Sequence, residues 1–173
     1  MEERRALDDL FSATYEELRR LAYAVRRNDP NITLSPTALV NEAWLKMANS
    51  PRLATTSRLH FKRIAARAMR QVLVEAARRR NAGKRALGSG AVFVAFDGSF
   101  EMASCEDDFL ALEDALGELE RMEPRQAMLV ESRFFGGLDV AETAALLQVS
   151  EATVLRDWRA AKAWLAHTLR RAR

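Results

Sequence analysis

The chain has 173 residues, 49% of them hydrophobic and 29% charged, which allows one ordinary domain or two small ones with packed cores. A single cysteine excludes a disulfide framework or a cysteine-rich zinc site within one chain, and no apolar run approaches the ~20 residues of a membrane span. The net charge of +3 conceals a pattern: residues 1–82 carry a net +7, residues 83–104 are neutral, residues 105–149 carry −8 and residues 150–173 carry +4.

Two basic segments separated by an acidic one point to two surfaces for a polyanion. A competing reading is an interaction module whose acidic and basic halves bind each other or a partner. Abundant Ala, Leu, Arg and Glu with few aromatics favour helix over strand. The N-terminus, "MEERRALDDLF", lacks the apolar stretch of a signal peptide, so a soluble cytoplasmic protein without membrane insertion is expected.

The first helix is predicted from about Leu7 to Arg27, with Leu7, Leu10, Phe11, Leu18, Leu21, Ala22 and Val25 on one face. "RRNDPNITLSP" breaks it. Ser35 followed by Pro36 starts a second helix, a capping hydroxyl before a proline at the first helical position, and its stripe is Leu39, Val40, Ala43, Trp44 and Met47. After the loop "NSPRLATTS", a third helix runs from about Ser57 to Arg80 or a little beyond, with Phe61, Ile64, Ala65, Ala68, Met69, Val72, Leu73 and Ala76 inward. Its other face is strongly basic: Arg58 to Arg85 holds ten Lys/Arg and one acid, Glu75.

Residues 83–104 lack a helical stripe and read as a linker, whose run "AVFVAF" is either extended or docked. Helix four is predicted over about Glu106 to Arg121. Pro124 opens helix five, and Gly136-Gly137 stops it after Phe135. Asp139 with Glu142 three residues on has the form of a capping box for a short helix ending near Leu147. "QVS" is the turn, and Ser150 caps the last helix.

The final two helices have helix-turn-helix spacing. Ala144, Leu147, Val149, Val154 and Trp158 occupy the positions such a motif buries. Ser150, Glu151, Ala152, Leu155, Arg156 and Arg159 lie at the start and outer face of the last helix, where arginine can donate two hydrogen bonds to guanine. Lys162, Arg170, Arg171 and Arg173 are placed for phosphate.

"SEATVLRDWRAAKAWL", preceded by "RFFGGLDVAETAALLQV", resembles the C-terminal DNA-binding domain of bacterial RNA polymerase sigma factors of the extracytoplasmic-function (ECF) type, and within it the ECF-like subgroup. "LDDLFSATYEELRRLAYAVRR", "LSPTALVNEAWLKM" and "LHFKRIAARAMRQVLVEAARRRNAGKR" resemble, in order, the helices of the sigma N-terminal domain. The resemblance covers nearly the whole chain. It implies an all-α fold of two small helical domains joined by a linker: a sigma region 2-like domain over 1–82, a linker over 83–104 and a region 4-like helix-turn-helix domain over 105–173.

The resemblance further implies roles by position. Asn41 and Glu42 in "ALVNEAW" would dock on the polymerase clamp helices, although spacing alone also fits a solvated pair. Asn49, Ser50 and Arg52 fall where the family captures an unstacked base of the −10 element. Arg63, Arg67, Arg70 and Gln71 would face the non-template strand, and His60 is the exposed candidate near the start of that helix. Phe61 could stack on a base, but it also lies on the apolar stripe, and core is the preferred assignment. The last helix would read the −35 element.

Four positions depart from the pattern. Leu155 stands where lysine is common, Gln148 where the turn usually has glycine, Thr143 where a larger aliphatic residue is usual, and Asn41 where the subgroup often has histidine. The partners implied are core RNA polymerase and promoter DNA, with an anti-sigma protein as a further partner class. No Gly-rich phosphate loop, HExxH or nucleophile elbow is present, so no enzyme, cofactor, metal or small-molecule substrate is expected. The rival reading, a stand-alone helix-turn-helix regulator, leaves the basic third helix and "ALVNEAW" without a task.

Overall fold

The computed structural model describes residues 2–27, 34–48, 53, 56–84, 91–96 and 100–171. The element order is α1 (Glu2–Arg27), α2 (Pro36–Met47), α3 (Arg58–Lys84), β1 (Ala91–Phe96), β2 (Phe100–Cys105), α4 (Glu106–Met122), α5 (Pro124–Phe134), α6 (Val140–Leu147) and α7 (Glu151–Arg171). The fold is helical, as the periodicity requires. In the segment read as a linker, α3 continues as far as Lys84 and "AVFVAF" takes the extended form; what the sequence reading lacked is its pairing, β1 running antiparallel to β2 from Ala91↔Cys105 to Phe96↔Phe100. The physical reason is composition, because the β-branched and aromatic residues of "AVFVAF" suit a paired strand.

Local signals set the helix starts. Ser35 Oγ accepts from Ala38 N at 3.0 Å, and Pro36 occupies the first turn of α2. The capping box of α6 is complete: Glu142 N donates to Asp139 Oδ1 at 2.7 Å and Asp139 N donates to a Glu142 carboxylate oxygen at 3.0 Å. Ser150 Oγ accepts from Thr153 N at 3.2 Å and caps α7. Such caps are worth about 1 kcal/mol each.

Helices α1, α2 and α3 pack on one another, and α4, α5, α6 and α7 form a second group. In the first, the Phe11 ring stacks on Trp44 at 4.2 Å between centroids, and Leu18, Val40, Leu53 and Phe61 are fully enclosed. In the second, Leu112, Leu116, Leu119, Leu129, Val130, Val154 and Leu165 are enclosed. Each such side chain contributes about 2 kcal/mol of apolar burial. The groups meet because α3 also packs against α4, α5 and α6, and buried residues of both belong to one continuous apolar cluster.

The meeting point depends on two glycines. Gly137 ends α5 with φ +62°, and a Cβ there would lie 2.4 Å from Leu21 Cδ2 on α1. A Cβ on Gly136 would lie 2.5 Å from the Ser132 carbonyl oxygen and 3.3 Å from Ala66 Cβ on α3. The corner after α5 therefore needs glycine both for its backbone and for its close approach.

The turn between α6 and α7 carries a different constraint. Gln148 adopts φ 55°, ψ 45° and is the one non-glycine residue with positive φ among those described. A side chain in this conformation costs roughly 1–2 kcal/mol. Gln148→Gly should therefore stabilise the protein by about 1 kcal/mol, seen as a rise of roughly 2–4 °C in Tm. An unchanged or lower Tm would show that glycine's added freedom in the unfolded chain cancels the relief.

Candidate nucleic-acid interface

The turn that Gln148 makes presents the N-terminal end of α7. Val149 N donates to the Ala144 carbonyl at 3.1 Å, closing α6. Thr143, in place of a larger aliphatic residue, is fully buried because its hydroxyl donates back to the Asp139 carbonyl at 2.6 Å. With that polar atom satisfied, its methyl group packs like a small hydrophobe.

From this platform Glu151, Ala152, Leu155, Arg156 and Arg159 are all exposed, as is Ser150 at the cap. Leu155, a large apolar side chain, is 40% exposed in the middle of the face. Val154, Trp158, Ala161 and Leu165 point the other way into the core. The Trp158 ring carries Arg133 at 4.5 Å and Lys162 at 5.4 Å from its centroid, so Lys162 is already placed over an aromatic face. Arg170 and Arg171 are exposed near the end of α7.

One anchor of this helix was not singled out from sequence. Asp157 is buried, and its Oδ2 accepts from Arg125 Nε and Nη2 of α5, each at 2.8 Å. Arg156 Nε stands 3.5 Å from the other carboxylate oxygen. A lone acid between two cations in "RDWR" gave no sign of burial by composition. Its position, three residues after Val154 and four before Ala161, was the available signal, since it falls on the inward arc.

The basic helix α3 is less open than its sequence suggests. His60 and Gln71 are exposed, and His60 Nδ1 lies 2.9 Å from Ser57 Oγ. Arg63 is half-buried, and its Nε has no hydrogen-bond partner. Arg67 pairs with Glu120 of α4 at 3.6 Å. Arg70, expected to face away from the core toward DNA, lies instead between two acids: its Nε donates to Glu113 of α4 at 2.6 Å and its Nη1 to Glu131 of α5 at 2.9 Å. Burial disfavours the Arg70 charge, but the two carboxylates outweigh it and hold its pKa above the ordinary arginine value. The cause of the difference is that α3 buries parts of more than one face, including Ala66, Val74 and Ala77 beyond the predicted stripe. Phe61 is fully buried and belongs to the core.

Lys62, one turn from Arg58, is also buried, at 2.6 Å from Glu17 of α1 and 3.1 Å from Glu142 of α6. Burial opposes its charge, and the hydrogen bonds it donates to Glu17 and Glu142 raise its pKa despite that. The Lys62 hydrogen bond in turn lowers the Glu17 pKa against a smaller desolvation effect, and Arg58 pairs with the same carboxylate.

On α2, Asn41 and Glu42 are exposed, and so is Leu45, at 63%. Lys46 pairs with Glu75 at 2.8 Å and ties α2 to α3. An exposed leucine one turn after Asn41 gives this polar pair an apolar neighbour that the sequence stripe did not reveal. The expected base-capture residues Asn49, Ser50 and Arg52 lie outside the described residues. Among the described residues no group of three acids, histidines or cysteines is placed to hold a metal ion, and no helix is long and apolar enough to cross a membrane.

A family model described as ECF sigma factor matches residues 2–171. No curated protein and no solved structure matches the chain.

Because Asp157 is buried and Arg125 half-exposed, the two ends of their pair should respond unequally. Arg125→Ala leaves a buried carboxylate with only the longer Arg156 contact, and should lower stability by about 3 kcal/mol. Denaturant midpoints at constant m-value measure it. A loss under about 0.5 kcal/mol, typical of surface substitutions, would show that Asp157 does not depend on this partner.

Proposed function

The chain belongs to the ECF sigma factor family, whose role is transcription initiation with core RNA polymerase at promoter DNA, and from that premise we propose how its surfaces divide the work. Residues 1–82 form the unit that docks on polymerase and handles the −10 element. Residues 105–173 form the unit that reads the −35 element, and residues 83–104 connect them.

The observation that carries this reading is the exposed set on α7, Glu151, Ala152, Leu155, Arg156 and Arg159, backed by a capped and buried helix-turn-helix. The N-terminal end of a helix entering the major groove brings such side chains to base edges. Arg156 and Arg159 suit guanine, and Leu155 suits a thymine methyl group. Arg170 and Arg171 contribute phosphate contacts that hold register without reading sequence.

The −10 side works through Asn49, Ser50, Arg52, His60, Arg63, Arg67 and Gln71, by capture of bases as the duplex opens, while Arg70 is held by Glu113 and Glu131. Unstacking a step costs a few kcal/mol, which captured bases offset, so opening and recognition are one event. Asn41 and Glu42, with Leu45 beside them, form the polymerase-docking face of α2. RNA synthesis itself stays with the polymerase.

The test is promoter-specific initiation by the purified protein with sigma-free core polymerase across a genomic promoter library. The expected outcome is transcription from a defined promoter class. Failure at every promoter, together with tight binding of the protein alone to one duplex operator, would instead establish the stand-alone regulator. In the same assay Arg156→Ala should relax −35 preference by about 1–3 kcal/mol at one base position. Unaltered preference would place the reading face elsewhere. Joint substitution of Asn41, Glu42 and Leu45 by alanine should weaken core polymerase binding while duplex binding by α7 is retained; equal loss of both would remove the docking assignment.

A further inference from the structure

The acid on the outer face of α7 is as informative as its arginines. Glu151, Leu155 and Arg159 follow one another at four-residue steps and are all exposed, so they form one ridge along the helix. Side chains so spaced stand about 6 Å apart at Cβ, close enough for two of them to meet one base. Along this ridge the chemistry runs from hydrogen-bond acceptor through apolar surface to donor. Arg156 beside it has its Nε 3.5 Å from Asp157, whereas Arg159 has no ion pair among the described residues.

A carboxylate facing DNA is repelled by phosphate and gains nothing from a base edge that offers only acceptors. In the major groove two exocyclic groups donate, adenine N6 and cytosine N4. Leu155 decides between them. Next to its amino-bearing carbon, cytosine has the C5 position, which projects into the groove and can carry a methyl group. The corresponding carbon of adenine is closed into the second ring and carries nothing. An acceptor and an apolar group one turn apart therefore fit a base with an amino group and a methyl group side by side. Thymine has the methyl group but sets its O4 where the amino group would be, one acceptor against another. Unmethylated cytosine satisfies Glu151 and leaves Leu155 without an apolar contact.

We propose that Glu151 and Leu155 together read one C5-methylated cytosine in the −35 element. Glu151 accepts from the N4 amino group, Leu155 covers the methyl group, and Arg159 is left for a neighbouring guanine. This rests on the −35 reading of α7 given above and adds a covalent mark to it: methylation of one promoter cytosine strengthens recognition of that promoter. One buried methyl group corresponds to about fourfold in affinity.

The test is a square of four pyrimidines, 5-methylcytosine, cytosine, thymine and uracil, which separates the amino group from the methyl group. Each is placed with its complementary purine, on either strand, at every −35 position of a promoter transcribed by the full chain with core polymerase. Initiation is measured at subsaturating holoenzyme. One position should favour 5-methylcytosine over cytosine by about fourfold and over thymine by about tenfold. Leu155→Ala should abolish the methyl preference there and keep the amino preference. Glu151→Gln should keep the methyl preference and bring thymine within about twofold of 5-methylcytosine, because an amide can donate to O4 as well as accept from N4. Both side chains are exposed, so the helical signal of each variant should be unchanged. Thymine equal to or better than 5-methylcytosine at the methyl-sensitive position would overturn the proposal and leave Leu155 as a thymine contact. Thymine remaining weak with Glu151→Gln would assign the amino preference to the paired guanine and also overturn it. Initiation without any methyl-sensitive position overturns the proposal and leaves the sigma reading intact. Absence of initiation at every promoter overturns the sigma reading, and the same square in a duplex bound by the protein alone then decides the base assignment; no duplex binding overturns both.

Discussion

Arg70 between Glu113 and Glu131 is the interaction on which the relation of the two helix groups depends. A buried guanidinium is tolerable only where carboxylates replace its water, and two are present. Removing either acid would leave charge with reduced compensation in a place that solvent cannot reach freely. Beside it, the pair of glycines after α5 lets the corner approach Leu21 and Ala66 without a side chain intervening. Around these fixed points α3 becomes a shared element. One side completes the core with α1 and α2, and another receives the acidic helices.

That dual use explains which parts of the structure were legible in the sequence. Helix positions were, because three- and four-residue spacing and the caps at Ser35, Asp139 and Ser150 are local signals. The outward face of α7 was legible for the same reason: once Val154 and Trp158 point inward, helical geometry sends Leu155, Arg156 and Arg159 outward. The strain at Gln148 was legible too, since a helix-turn-helix turn calls for a left-handed residue and glutamine adopts it here at φ 55°.

What remained hidden depends on contacts between segments far apart in the chain. Periodicity identifies that Arg70 lies off the main apolar stripe, but not that Glu113 and Glu131 will meet it forty to sixty residues later. The opposed charge of residues 1–82 and 105–149 was the nearest available signal, and it fits attraction between the halves as well as two polyanion surfaces. The hairpin was similarly open, because a six-residue apolar run needs a pairing partner before it becomes a strand.

In "RDWR", at 156–159, four consecutive side chains divide between two sides: Arg156 and Arg159 stand in solvent, Arg156 with its Nε 3.5 Å from Asp157, while Asp157 clamps α5 and Trp158 fills the core. Substitution at the last position leaves this anchoring untouched and at the first removes only the longer of the contacts to Asp157, whereas the middle two are tied to it directly. On the promoter reading proposed above, preference is thereby largely separated from foldability within a single turn. Lineages of such a protein could diversify the genes they address through a few outward positions, while the inward pair preserves the platform that presents them.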